Sequence, residues 1–82
     1  MTITIRYFAA ASRAAGADEE VRAVTPGTTL SDLINALSDR NAELARVLNK
    51  CQFLVNEQAA SDTTMPLSDG ALVDVLPPFA GG

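Results

Sequence analysis

The sequence has no histidine, one cysteine and one lysine, and each shortage removes a class of chemistry. Without histidine, a Cys/His zinc site is excluded. Cys51 stands alone, so no disulfide can close within the chain, and a reducing, cytoplasmic setting is expected. Lys50 is the only lysine and the phosphate-cradling pattern GxxxxGK(S/T) is absent, so the chain has no recognisable ATP site of its own. No nucleophile has a nearby base and no metal-ligating cluster is visible, which leaves an enzyme with its own active site as the least favoured reading.

Long apolar runs are also missing. None approaches the ~20 residues needed to span a bilayer, and the N-terminal MTITIRYF lacks a basic segment followed by an apolar signal core. No membrane association is expected. Basic residues are few: six Lys and Arg against ten Asp and Glu give a net charge of −4. Arg6, Arg13, Arg22, Arg40, Arg46 and Lys50 are scattered rather than striped, so there is no footprint for a phosphate backbone and nucleic acid is not an expected partner. An acidic surface suits a protein partner with a basic face. The same charge also simply keeps a small protein soluble, and composition leaves both readings open.

What is present is enough for one compact domain and too little for two: 82 residues, 48% of them hydrophobic. In Thr2 to Phe8, TITIRYF, Ile3, Ile5 and Tyr7 alternate with Thr2, Thr4 and Arg6, a period of two that predicts a first strand with one buried face. The alanines around Ser12 and Arg13 predict a short helical turn that Gly16 ends. Asp18 to Thr25 is expected as a second strand, with Val21 and Val24 its best apolar positions, before Pro26-Gly27 breaks the chain.

Thr29-Leu-Ser-Asp32 has the form of a capping box, and Leu30, Leu33, Ile34 and Leu37 fall at i, i+3, i+4 and i+7. This predicts the main helix, packed on a sheet. Leu44, Val47 and Leu48 suggest a shorter helical turn. Cys51 to Asn56 reads as a third strand, with Phe53 and Val55 on one face and Gln52, Leu54 and Asn56 on the other. Residues 57 to 68 are polar and irregular, with a short edge strand expected near Thr63 to Met65. After the Ser68-Asp69-Gly70 turn, Ala71 to Leu76 is the last strand, with Ala71, Val73 and Val75 inward and Leu72, Asp74 and Leu76 outward. The expected class is α+β: a mixed sheet of about five strands packed on one main helix, with the last strand beside the first.

The chain closes on VLPPFAGG. With average glycine usage near 7%, two terminal glycines arise by chance in roughly one protein in 200, so the pair alone is compatible with an inert tail. Its surroundings say more. Pro77-Pro78 cannot donate ladder hydrogen bonds and project the last residues as an extended arm. Six residues at ~3.1–3.5 Å each reach about 20 Å, enough to enter another protein's cleft. Gly81 and Gly82 lack Cβ atoms, so their backbone can pass a narrow channel. The expected division is a domain over 1–76 and a flexible tail over 77–82. The reactive group at the tip is the Gly82 carboxylate, which is a poor electrophile until another protein activates it.

IRYFA, TTLSDLINAL, FLVNEQ and above all SDGALVDVLPPFAGG make the whole chain resemble the MoaD/ThiS family of ubiquitin-like sulfur carriers, and within it the MoaD type, the small subunit of molybdopterin synthase. The resemblance implies a β-grasp (ubiquitin-like) fold. It implies that Gly82 is adenylated by a MoeB-like activating enzyme that consumes ATP, that a sulfur donor converts it to a thiocarboxylate, and that this sulfur goes into the molybdopterin dithiolene. A MoaE-like large subunit, in a heterotetramer, would accept the tail. Gly81 and Ala80 would permit passage, and Phe79, Pro78 and Pro77 would set direction and dock. No cofactor or metal would be bound by the chain itself.

In one respect the chain departs from that pattern. Val75-Leu76 stands where many members carry an aromatic pair before the prolines, and the aromatic comes later as Phe79. Leu54, Leu72 and Leu76 are expected to project from the open sheet face as a docking patch for partners; scattered exposed leucines are the plainer alternative. Two other uses of the same tail stay open: sulfur supply to thiamine thiazole or cysteine synthesis, and ubiquitin-like joining to a target lysine. A β-grasp binding module with an inert tail is a third. Cys51 is expected to be a small packed side chain rather than a reactive thiol.

Overall fold

A computed structural model describes residues 1–78. In chain order the elements are β1 (Thr2–Tyr7), α1 (Ala10–Ala15), β2 (Glu19–Ala23), α2 (Leu30–Ser38), α3 (Ala42–Leu48), β3 (Gln52–Val55), β4 (Gln58–Ala59) and β5 (Leu72–Leu76). The strands form one five-stranded sheet in the order β2-β1-β5-β3-β4. β1 and β5 run parallel at its centre, and every other pairing is antiparallel. This is the α+β, β-grasp arrangement expected from the sequence.

The period of two in β1 buries Ile3, Ile5 and Tyr7 on one side of the sheet. Val73 and Val75 of β5 lie in the same layer, and both are fully buried. Leu30, Leu33 and Leu37 of α2 join them, together with Leu44 and Leu48 of α3 and Ala11 of α1. Each such leucine side chain contributes about 1.5–3 kcal/mol by leaving water. α2 begins where the capping box closes: Asp32 N–H donates to Thr29 Oγ1 at 3.1 Å, and Thr29 N–H donates to Asp32 Oδ2 at 3.0 Å. α1 ends at Gly16 in the left-handed conformation, φ 80°.

Three expectations are corrected. Thr63 to Met65 forms no strand; the edge strand is β4, reached by a two-residue turn in which Asn56 and Glu57 both hold positive φ, 51° and 68°. Such hairpin turns are usually signalled by Asn-Gly or Asp-Gly, and Asn-Glu hides the signal. The polar segment is also tied to the core. Leu67 is buried, its N–H donates to the Thr28 carbonyl at 2.8 Å, and Pro66 bridges to Thr29. Finally, Val21 is 70% exposed. It pairs with Thr4 and so faces the open side, whereas Val24, an odd number of residues away, is partly buried against the core.

Candidate functional site

Parallel pairing of the two central strands decides where the chain leaves the sheet. Tyr7 pairs with Val75, and Phe8 N–H donates to the Val75 carbonyl at 3.2 Å, so β5 finishes beside the end of β1. Pro77 is buried immediately after the strand and Pro78 is exposed. Proline ends the ladder here because it has no N–H to donate. Of the predicted tail, Phe79, Ala80, Gly81 and Gly82 lie outside the described residues.

The open face of the sheet can be built from the register. One row crosses all five strands as Glu19, Arg6, Asp74, Leu54 and Ala59. A second row places Val21, Thr4 and Leu72 side by side, and a third pairs Leu76 with Gln52. The three leucines expected on this face are thus gathered around Asp74, each half-buried. They form an apolar patch beside the point where β5 ends.

The sequence reading missed the polar centre of the patch. Asp74 points to the open side as expected, yet it is only 3% exposed. Arg6 closes over it: Nε donates to Oδ1 at 2.6 Å and Nη2 donates to Oδ2 at 2.8 Å. This two-point geometry matches the planar guanidinium to the carboxylate. Hydrogen bonding to Asp74 raises the Arg6 pKa above its ordinary value, against the opposing effect of burial. The Phe8 ring lies 5.9 Å from the Arg6 guanidinium carbon, within cation–π range. The signal was available: Arg6 and Asp74 each interrupt the outward-facing set of a strand, and those strands were expected to be neighbours.

Cys51 sits away from this surface chemistry. Its Sγ–H donates to the Val47 carbonyl at 3.2 Å, and burial pushes its pKa up. Both favour the neutral thiol over the reactive thiolate. Among the described residues no three His, Cys, Asp or Glu side chains are grouped to hold a metal ion, and no helix is long and apolar enough to cross a membrane.

A central parallel pair, an exit beside Phe8 and a half-apolar open face are features that a sequence family can share, and the ThiS family model matches residues 5–82. The chain belongs to the ThiS family. That places it among small ubiquitin-like proteins of the sulfur-carrier or modifier kind. Among solved structures, this ThiS-family chain is similar to a putative molybdopterin converting factor subunit 1 from Pyrococcus furiosus. Identity is 26%, coverage is 95% of this chain and 98% of that one, and the TM-score is 0.85.

It shares its fold with SAMP1 from Haloferax volcanii, at 23% identity, complete coverage of both chains and a TM-score of 0.84. The fold also recurs in a protein complex of subunits 1 and 2 of the molybdopterin-converting factor from Helicobacter pylori, at 23% identity, complete coverage of both chains and a TM-score of 0.75. No curated protein sequence matches this ThiS-family chain at a significant level.

Proposed function

We propose that this ThiS-family protein is the small, sulfur-carrying subunit of a molybdopterin synthase. The carboxylate of Gly82 attacks the α-phosphate of ATP on a separate activating enzyme, releasing pyrophosphate and forming an acyl-adenylate. Hydrosulfide released by a donor then displaces AMP to give the thiocarboxylate, whose sulfur passes to the dithiolene precursor on a large synthase subunit while water cleaves the acyl–sulfur bond and restores the Gly82 carboxylate. The chain supplies the carried group and the docking surface; catalysis resides in its partners. The domain over 1–76 presents the tail over 77–82, with Pro77 and Pro78 directing it, Phe79 docking it, and Ala80 and Gly81 keeping the last backbone slim.

The observation that carries this reading is the family match running through Gly82, behind a sheet whose central strand β5 leads directly into Pro77-Pro78. The likeness to the Pyrococcus furiosus subunit favours molybdopterin over other sulfur acceptors. Leu54, Leu72 and Leu76 are then the apolar centre of the docking face for the activating enzyme and the large subunit, and the complex of subunits 1 and 2 from Helicobacter pylori is a precedent for such a pair on this fold.

Intact mass after incubation with ATP, the activating enzyme from the same genome and a sulfur donor tests the proposal. The expected result is replacement of one oxygen by sulfur in the full-length protein and none in a variant lacking Gly81-Gly82. No conversion, under conditions that load a known carrier, would sink it. One second reading, a protein modifier, is suggested by the name small archaeal modifier protein 1 of proteins that share this fold. In that case the same activated carboxylate is recovered joined to a target lysine.

A further inference from the structure

We infer that Arg6, clamped by Asp74, is the selectivity contact of the open sheet face: it admits a protein partner whose apolar surface presents a neutral carbonyl oxygen to the outward edge of the guanidinium. The inference rests on the reading of this face as a docking surface and adds what the partner must carry.

Part of the guanidinium is already committed. Nε and Nη2 are bonded to the two Asp74 oxygens, while Nη1 makes no hydrogen bond among the described residues. The Arg6 side chain is 37% exposed and that of Asp74 only 5%, so a partner covering the face meets the guanidinium and not the carboxylate. Around it stand Leu72 and Leu76 from β5 and Leu54 from β3. Covering such a patch strips water from the remaining guanidinium N–H groups, and donors buried without an acceptor weaken the complex. A wholly apolar partner is therefore rejected.

Room for an acceptor exists at the same spot. Arg6, Phe8, Arg13 and Glu19 line an open depression of about 520 Å³ between the end of β1 and α1. Charge selects the kind of acceptor. Asp74 already neutralises Arg6, Glu19 is its partner in register across β2, and Glu57 is also close enough to stabilise its charge. Asp18 lines the depression as well, so a further carboxylate would face four acidic residues against the two cations Arg6 and Arg13, whereas a backbone or amide carbonyl takes the N–H without adding charge. Asp74 thus acts as a positioning residue that holds the fork and cancels its charge.

The test is the affinity of the purified adenylating enzyme from the same genome for four proteins: wild type, R6L/D74A, L54D/L72D and R46A. The double change R6L/D74A leaves no unpaired buried charge and is expected to keep the fold. Expected are binding at least tenfold weaker for R6L/D74A, loss of binding for L54D/L72D, unchanged binding for R46A, and a wild-type to R6L/D74A ratio that persists at high salt. Wild-type affinity for R6L/D74A overturns the inference while leaving the docking face intact if L54D/L72D still fails. Normal binding by L54D/L72D overturns both. A ratio that collapses at high salt overturns the neutral acceptor. Should R6L/D74A not fold, the arginine side-chain N–H signals of the wild type decide by NMR: a shift of the Arg6 signals on adding the enzyme supports the inference, and no shift overturns it.

Discussion

Tyr7, on the buried side of central strand β1, donates its hydroxyl to Glu20 Oε1 at 2.6 Å, and the same oxygen accepts Arg40 Nη1 at 2.6 Å. One carboxylate oxygen therefore ties β1, the edge strand β2 and the turn after α2 together. Burial pushes the Tyr7 phenol well above its ordinary pKa, and the Glu20 carboxylate adds to the rise. For Glu20, burial opposes ionisation, but hydrogen bonds from Tyr7 and Arg40 outweigh it and hold the carboxyl below its ordinary value.

A depressed carboxyl pKa contributes stability above the unfolded-state value and loses it as pH falls through the folded-state value. With the unfolded carboxyl near ~4.3, the loss begins below about pH 5. Glu20→Gln is expected to cost about 1 kcal/mol at pH 7 and to flatten the dependence of Tm on pH at the acid end. Thermal melts of both proteins at pH 7, 5 and 3.5 check this, and parallel curves would refute it.

Arg6 and Asp74 predict a sign rather than a size. Arg6→Leu alone leaves a carboxylate buried among leucines without its partner, whereas R6L/D74A removes both charges. The single variant is expected to unfold at lower urea concentration than the double. If the two midpoints are reversed, the ion pair does not protect Asp74 as its burial implies.

Ala9 holds φ 50° and ψ −126°, at the entrance to α1. A residue with a Cβ is strained there and glycine is not. Ala9→Gly is expected to stabilise the protein by about 1 kcal/mol, relief of strain outweighing the greater freedom of glycine in the unfolded chain. Differential scanning calorimetry would register this as a Tm higher by about 4 °C; a lower Tm would show that the backbone is relaxed.

Cys51 is partly buried and its thiol is held neutral. Its reaction with a disulfide reagent at pH 8 should be slower in the native protein than in the urea-unfolded chain, and Cys51→Ser should leave sulfur loading of the tail unchanged. Failure of the serine variant to load, with its melting curve intact, would place the thiol in the transfer path.

How much of this was legible depended on the range of the interaction. The capping box at Thr29 and Asp32, the leucine stripe of α2 and the alternation in β1 and β5 are local patterns, read within a few residues of themselves. The pairing of β5 with β1 was also within reach, because two strands with one apolar face each had to share a single core. The hairpin at Asn56-Glu57 was not, since neither residue advertises the positive φ that both adopt. Leu67 looked like part of a polar loop because what buries it comes from elsewhere in the chain.

The sequence by itself determined the three helices, the strands β1, β2, β3 and β5, and the buried side of the central strands. Those features arise from backbone and side-chain preferences that act over short distances. Only the tertiary structure decided that Arg6 covers Asp74 and that Leu54, Leu72 and Leu76 surround them. Sixty-eight positions separate Arg6 from Asp74, and no local preference brings such residues together. The parallel register of β1 on β5 does, because sliding either strand by one residue would turn Ile5 and Val73 out of the core.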